Sequence, residues 1–141
     1  MDNSIKIGDL EKTINKELTL YCEDVTEKIK QASDDVMKDL VKNTKQDAPV
    51  RKTKNGGQYK KAISSKTSYE SKRAKINVWY VKSPHYRLSH LLENGHATRN
   101  GGRTKAFKFI SKNEEIAVND YEKKVLEVIK KWILKRYWKV I

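Results

Sequence analysis

A single cysteine, Cys22, excludes an intramolecular disulfide framework; on a predicted helix stripe it is expected to be a small core residue in a reducing cytosol. Only two prolines, Pro49 and Pro84, punctuate the chain, and neither Pro nor Gly interrupts residues 9–46. Long hydrophobic runs are missing, so no segment is expected to cross a bilayer, and the opening MDNSIKIGDLEK lacks the apolar core of a secretory signal. Acidic residues are scarce as well. Asp+Glu number 18 against Lys+Arg 31, a formal net charge of +13, which favours encounters with nucleic acid or another polyanion. A bland explanation stands beside that one, because nearly all of the surplus is Lys, a solubilising residue. Only Arg51, Arg73, Arg87, Arg99, Arg103 and Arg136 carry the guanidinium on which base readout and phosphate clamps rely.

The motifs of common catalytic classes are absent too. His85, His90 and His96 cluster around Glu93, but His90 and His96 are six apart across Gly95 and form no HExxH pair, so no metal site is expected. Cys22 is far in sequence from every histidine, and there is no GxSxG elbow and no GxxxxGK[ST] loop. Asp34-Asp35 and Glu114-Glu115 are neighbours on predicted helices, where adjacent side chains diverge instead of converging on a metal ion. The chain is therefore not expected to be an enzyme or to need a cofactor.

What is present is strong helical periodicity. Leu10, Ile14, Leu18, Tyr21, Val25, Ile29, Ala32, Val36 and Leu40 follow steps of 4 and 3 with a mean near 3.67, one apolar face of a nearly straight helix over residues 9–46. Asp9 is the expected N-cap and Ala48-Pro49 the far boundary. Such a helix is on the order of 50 Å long, more than the rest of a small domain covers, so part of the stripe is expected to pack against another subunit. The hydrophobic fraction of 37% points the same way.

After this helix, residues 49–58 hold Arg51, Lys52 and Lys54 beside Asn55-Gly56-Gly57, an exposed basic connection. Two strands are expected at residues 59–69 and 73–82, turning at Glu70-Ser71-Lys72; because Trp79 and Val81 break the polar alternation, the end of the second is expected to be covered on both faces, by helix on one side and another element or subunit on the other. A short helix at 86–94 carries Leu88, Leu91 and Leu92 and ends at Gly95. His90 is expected to pack on it and Glu93 to pair with Arg99 or Arg103. A second basic loop follows, with Arg99, Arg103 and Lys105 around Asn100-Gly101-Gly102. Residues 105–110 read as a third strand, and Ser111 with Glu114 as a capping box for a helix at 112–138, whose stripe includes Tyr121, Val125, Val128 and Trp132. Its basic end LKRYWKVI holds Tyr137 and Trp138, the end of the core stripe, a dock for another protein or a membrane-surface anchor, the first two favoured because a basic amphipathic end alone is weak evidence for membrane binding. The fold class is thus α+β, residues 1–141 forming a single domain: a long N-terminal helix, a small antiparallel sheet of three to four strands within residues 59–110, and a C-terminal helix.

The run HLLENGHATRNGGRTKAFKFI resembles the segment "lEfGh…ggr…apfpFi" of the minor tail component family of long-tailed bacteriophages, small neck proteins that complete the tail or join it to the head. Upstream, Ala48-Pro49-Val50-Arg51, a Gly pair and Tyr59-Lys60-Lys61-Ala62-Ile63 resemble that family's "aPv.tG.Lr.SI", with Tyr59 where a Leu is typical. The likeness runs in order over residues 48–129. It implies a structural virion protein, made in the host cytoplasm, that assembles as a homo-oligomeric ring, for which the resemblance suggests six copies, and that meets other neck and tail-tube proteins without catalysis. Leu10, Ile14, Leu18, Tyr21, Val25, Ile29, Val36 and Leu40 would pack within or between subunits, and Arg51, Lys52, Lys54, Arg99, Arg103 and Lys105 would face a partner or passing DNA. The alternative is a small basic nucleic-acid-binding module of a phage or mobile element, although no helix-turn-helix, RNA-binding strand motif or zinc finger is legible.

Overall fold

The computed structural model describes residues 6–138. Its frame is a pair of antiparallel helices, α1 (Ile7–Asp47) and α4 (Phe109–Tyr137), with a β-hairpin, β1 (Ile63–Glu70) and β2 (Lys75–Val81), laid along α1. Between them lie a short helix α2 (Gln58–Ala62), a 3₁₀ turn (His85–Leu88) and α3 (Ser89–Asn94). The class is α+β, as the sequence implies, but with two antiparallel strands instead of three to four.

α1 starts two residues before the expected cap, so Asp9 sits in its first turn, where its charge favours the positive end of the helix dipole. At 41 residues it is about 60 Å long. Its stripe divides into a longer covered part and a shorter open one. Val25, Ala32 and Val36 are buried, Tyr21, Ile29 and Leu40 are half-buried, and Tyr21 packs on Trp132 of α4 with ring centroids 4.1 Å apart. Leu10, Ile14 and Leu18 remain 46%, 48% and 56% exposed. Cys22, expected inside, is exposed, and it lines an open groove with Leu18 beside Lys72 and Arg73 of the hairpin tip. Ion pairs run along the α1–α4 seam: Glu17 with Arg136, Asp39 with Lys124 at 3.7 Å, and Asp47 with Lys112 at 3.5 Å.

The main core lies at the other end of α1. Ala48, Tyr59, Ala62, Ile63, Val81 and Phe109 cluster there, with Val41, Trp79, Leu92 and Ile110 packed around them. Ile63, 1% exposed, opens β1 and pairs with Val81, which closes β2. Tyr59 belongs not to a strand but to α2; burial pushes its phenol pKa up, against the bond it donates to Ser89 Oγ at 2.9 Å.

β2 turns its Lys75, Asn77, Trp79 side toward α1, and polar bonds fix it there. Asp34 accepts from Lys75 Nζ at 2.7 Å and from Asn77 Nδ2 at 2.9 Å, which holds its carboxyl below the ordinary value and raises the Lys75 ammonium. Thr44, 0% exposed, accepts from Trp79 Nε1 at 3.0 Å. Lys30, also buried, donates to the Ser71 carbonyl at the hairpin tip. The opposite face, expected to be covered at its end, leaves Val78 and Tyr80 half-buried and Tyr69 and Ile76 exposed. A bulge shifts the register between Thr67 and Tyr69.

The expected third strand does not form. Phe107 N–H donates to Leu92 O at 3.0 Å and Lys108 N–H to Glu93 O at 3.3 Å, so the segment is tied to the end of α3 and has no strand edge to join. Lys108 then takes a left-handed conformation, φ 50°, and α4 begins at once with Phe109, 2% exposed. The Ser111–Glu114 capping box falls inside a helix already under way.

Candidate functional site

The basic loops lie around the core end of the molecule, and close backbone approaches shape both. In the first, a Cβ on Gly56 would lie 2.0 Å from the Arg51 carbonyl oxygen, so only glycine lets residues 51–57 fold back this tightly. In the second, Gly95 ends α3 at φ 69° and ψ 168°, a region essentially reserved for glycine, and a Cβ there would meet Thr104 O at 2.5 Å. From that point the chain makes a small hairpin. Ala97 bridges Arg103, Thr98 N–H donates to Gly102 O at 2.8 Å, and Thr104 N–H donates to His96 O at 2.9 Å. Thr104 Oγ1 also lies 3.0 Å from His96 Nδ1, so His96 helps to hold this turn of the chain.

All six basic residues singled out in the sequence, Arg51, Lys52, Lys54, Arg99, Arg103 and Lys105, are exposed, and no ion pair among the described residues involves them. The structure brings part of the two loops to one place. An open groove of about 510 Å³ is walled on one side by residues of the first loop, Val50 and Arg51 among them, and on the other by Leu88, Leu91, Leu92 and His96, with Phe107 also lining it. Lys105 Nζ stands 5.6 Å from the Phe107 ring centroid, within cation–π range, which puts a second cation at the groove. Arg99 occupies the tip of the second hairpin, beyond the groove lining.

Glu93, expected to answer Arg99 or Arg103, does something else. Its carboxylate accepts from the backbone N–H of Ile110 at 2.9 Å and of Ser111 at 2.9 Å, capping the first turn of α4 from α3. Burial opposes its charge, but the Ser111 side chain, the two amides and nearby Lys108 outweigh that, and its pKa is lowered. Asn113, buried, ties the same turn to the end of α1 through Asp47 Oδ2 at 3.0 Å. The second basic loop therefore hangs between α3 and the first turn of α4, which Glu93 of α3 caps. His90, expected against the short helix, is exposed.

Candidate chemistry elsewhere is used up in packing. Asp34 is committed to the hairpin, Asp35 lies 3.9 Å from Lys38, and no group of three or more His, Cys, Asp or Glu side chains converges among the described residues. No described helix is long and apolar enough to cross a membrane.

The molecule thus offers a partly apolar, basic-rimmed groove at one end and an uncovered apolar helix stripe at the other. Trp138, at the end of α4, is exposed near that stripe's end of the molecule, as are Ile133 and Leu134, so Trp138 does not continue the core; the side chain of Tyr137 and residues 139–141 lie outside what the structure describes. Comparison with protein-family models, with curated proteins and with solved structures finds no match to this chain.

Proposed function

We propose that the chain is a structural subunit of a long-tailed phage neck, a tail-completion or head-tail joining protein that assembles as a ring with itself and stacks on other neck and tail-tube proteins. The observation that carries this reading is the division of the α1 stripe: one part is used inside the subunit, while Leu10, Ile14 and Leu18 are left in solvent. Three large aliphatic side chains in line on one helix face stay exposed in a subunit whose partner is another protein. The resemblance over residues 48–129 supplies the neck and a copy number of six; the exposed basic loops supply contact with passing DNA or an acidic rim. The protein acts in the virion by assembly, without catalysis or cofactor, and the gene belongs to a phage or a prophage.

A second reading rests on the six exposed cations around one end of the molecule. They would give a free-standing nucleic-acid binder its footprint. Incubation with the tail-tube protein of the same phage, imaged by electron microscopy, separates the two. The neck reading predicts tubes capped at one end and only weak, salt-sensitive duplex binding by the free subunit. Uncapped tubes together with tight duplex binding that falls steeply with salt favour the second.

A further inference from the structure

The two uncovered surfaces differ in charge as well as position. Around the open stripe the long helix carries Glu11 and Glu17 within a chain of net charge +13; Glu17 is paired with Arg136 of α4, and Glu11 takes part in no ion pair among the described residues. At 100° per residue, Leu10, Ile14 and Leu18 share one face, and Glu11 and Glu17 flank it on either side. The groove has the opposite character: an apolar wall of Val50, Leu88, Leu91, Leu92 and Phe107, with Arg51 and Lys105 at its edge and Lys52 and Lys54 in the same loop.

We propose that the open stripe of α1 in one copy seats in the groove of the next, so that copies join head to tail. This deepens the ring reading above and rests on it. Within one subunit the contact is impossible, because Ile14 and Val50 stand at opposite ends of a continuous helix, about 50 Å apart. Stripe against stripe brings Glu11 of two copies together, and groove against groove brings Arg51, Lys52 and Lys54 together, so both two-fold arrangements set like charge on like charge. Stripe into groove pairs acid with base and apolar with apolar. It is helix-in-groove recognition with anchors at i, i+4 and i+8. Each copy then has one donor and one acceptor surface, and a head-to-tail contact of this kind closes into a ring when its rotation allows.

Two variants on exposed residues test the contact: Ile14→Asp with Leu18→Asp, and Val50→Asp with Arg51→Glu. Each is checked by circular dichroism for unchanged helix content, then measured by light scattering and by zero-length carbodiimide cross-linking of carboxylates to lysines. Wild type is expected to cross-link Glu11 to Lys52 or Lys54 of another copy. Each variant alone should be a monomer where wild type assembles. Their equal mixture should give dimers and nothing larger, because every dimer keeps one disabled stripe and one disabled groove. If wild type assembles and either variant assembles equally well, or the mixture gives no dimer, this contact is overturned and the ring reading survives. A wild type that is monomeric alone and ignores tube protein overturns both.

Discussion

Glu93 shows how a single side chain can be misjudged by its neighbours in sequence. Set among Arg99, Arg103 and three histidines it suggests an ion pair, yet its two oxygens serve the Ile110 and Ser111 amides. Glu93→Ala should cost about 1 kcal/mol, the usual value of a lost helix cap, read as a lower midpoint in urea unfolding. Because its folded-state pKa is lowered, the carboxylate's contribution is complete above the ordinary carboxyl range and disappears as pH falls through the folded-state value. Glu93→Gln should therefore lose less stability on acidification than wild type, below about pH 4.5 and not above it. Gly95→Ala is the companion test on the backbone. With φ 69° and Thr104 O in the path of a Cβ, it should destabilise by about 1–3 kcal/mol in the same experiment.

At the scale of elements, periodicity locates what is local and misses what is borrowed. The steps of four and three mark α1 almost to its ends, and Leu88, Leu91 and Leu92 mark the short helix before Gly95. The alternation of residues 73–82 marks β2 but not which side meets the helix, because Asp34 and Thr44 draw the Lys75, Asn77, Trp79 side onto α1 while the apolar side leaves Ile76 exposed and Val78 and Tyr80 half-buried. Phe107, Phe109 and Ile110 read as a strand because the cap that starts α4 comes from seventeen positions upstream, beyond any local window. α2 was hidden for a similar reason, since Tyr59 is held by Ser89 and packs edge-on to Phe109 at 6.1 Å. The hairpin's attachment is testable through Thr44. Replacing it with Val leaves the indole N–H of Trp79 without its acceptor, an expected loss of about 1–3 kcal/mol with a change in tryptophan emission before global unfolding. Ile63→Ala, at the foot of the hairpin, should cost about 2–5 kcal/mol.

Seen as a whole, the molecule concentrates its core at one end and extends a two-helix arm from it. The basic residues named from the sequence are all on the surface, and Arg51 lines one groove, which Lys105 reaches by way of the Phe107 ring; sequence spacing does not reveal it, since Arg51 and Leu88 on its two walls are over thirty residues apart. The surplus of apolar stripe was legible from helix length alone; that the surplus is the N-terminal part was not, because it depends on where α4 and the hairpin stop. That arm exposes Leu10, Ile14 and Leu18, the surface on which the proposed assembly rests. The direct measurement is the mass of the purified wild-type chain in solution, by light scattering at low and at high salt. A single closed oligomer, several times the 16.4 kDa of one chain, is the predicted result. A particle of 16.4 kDa at both salts, unchanged by addition of tail-tube protein, would contradict it.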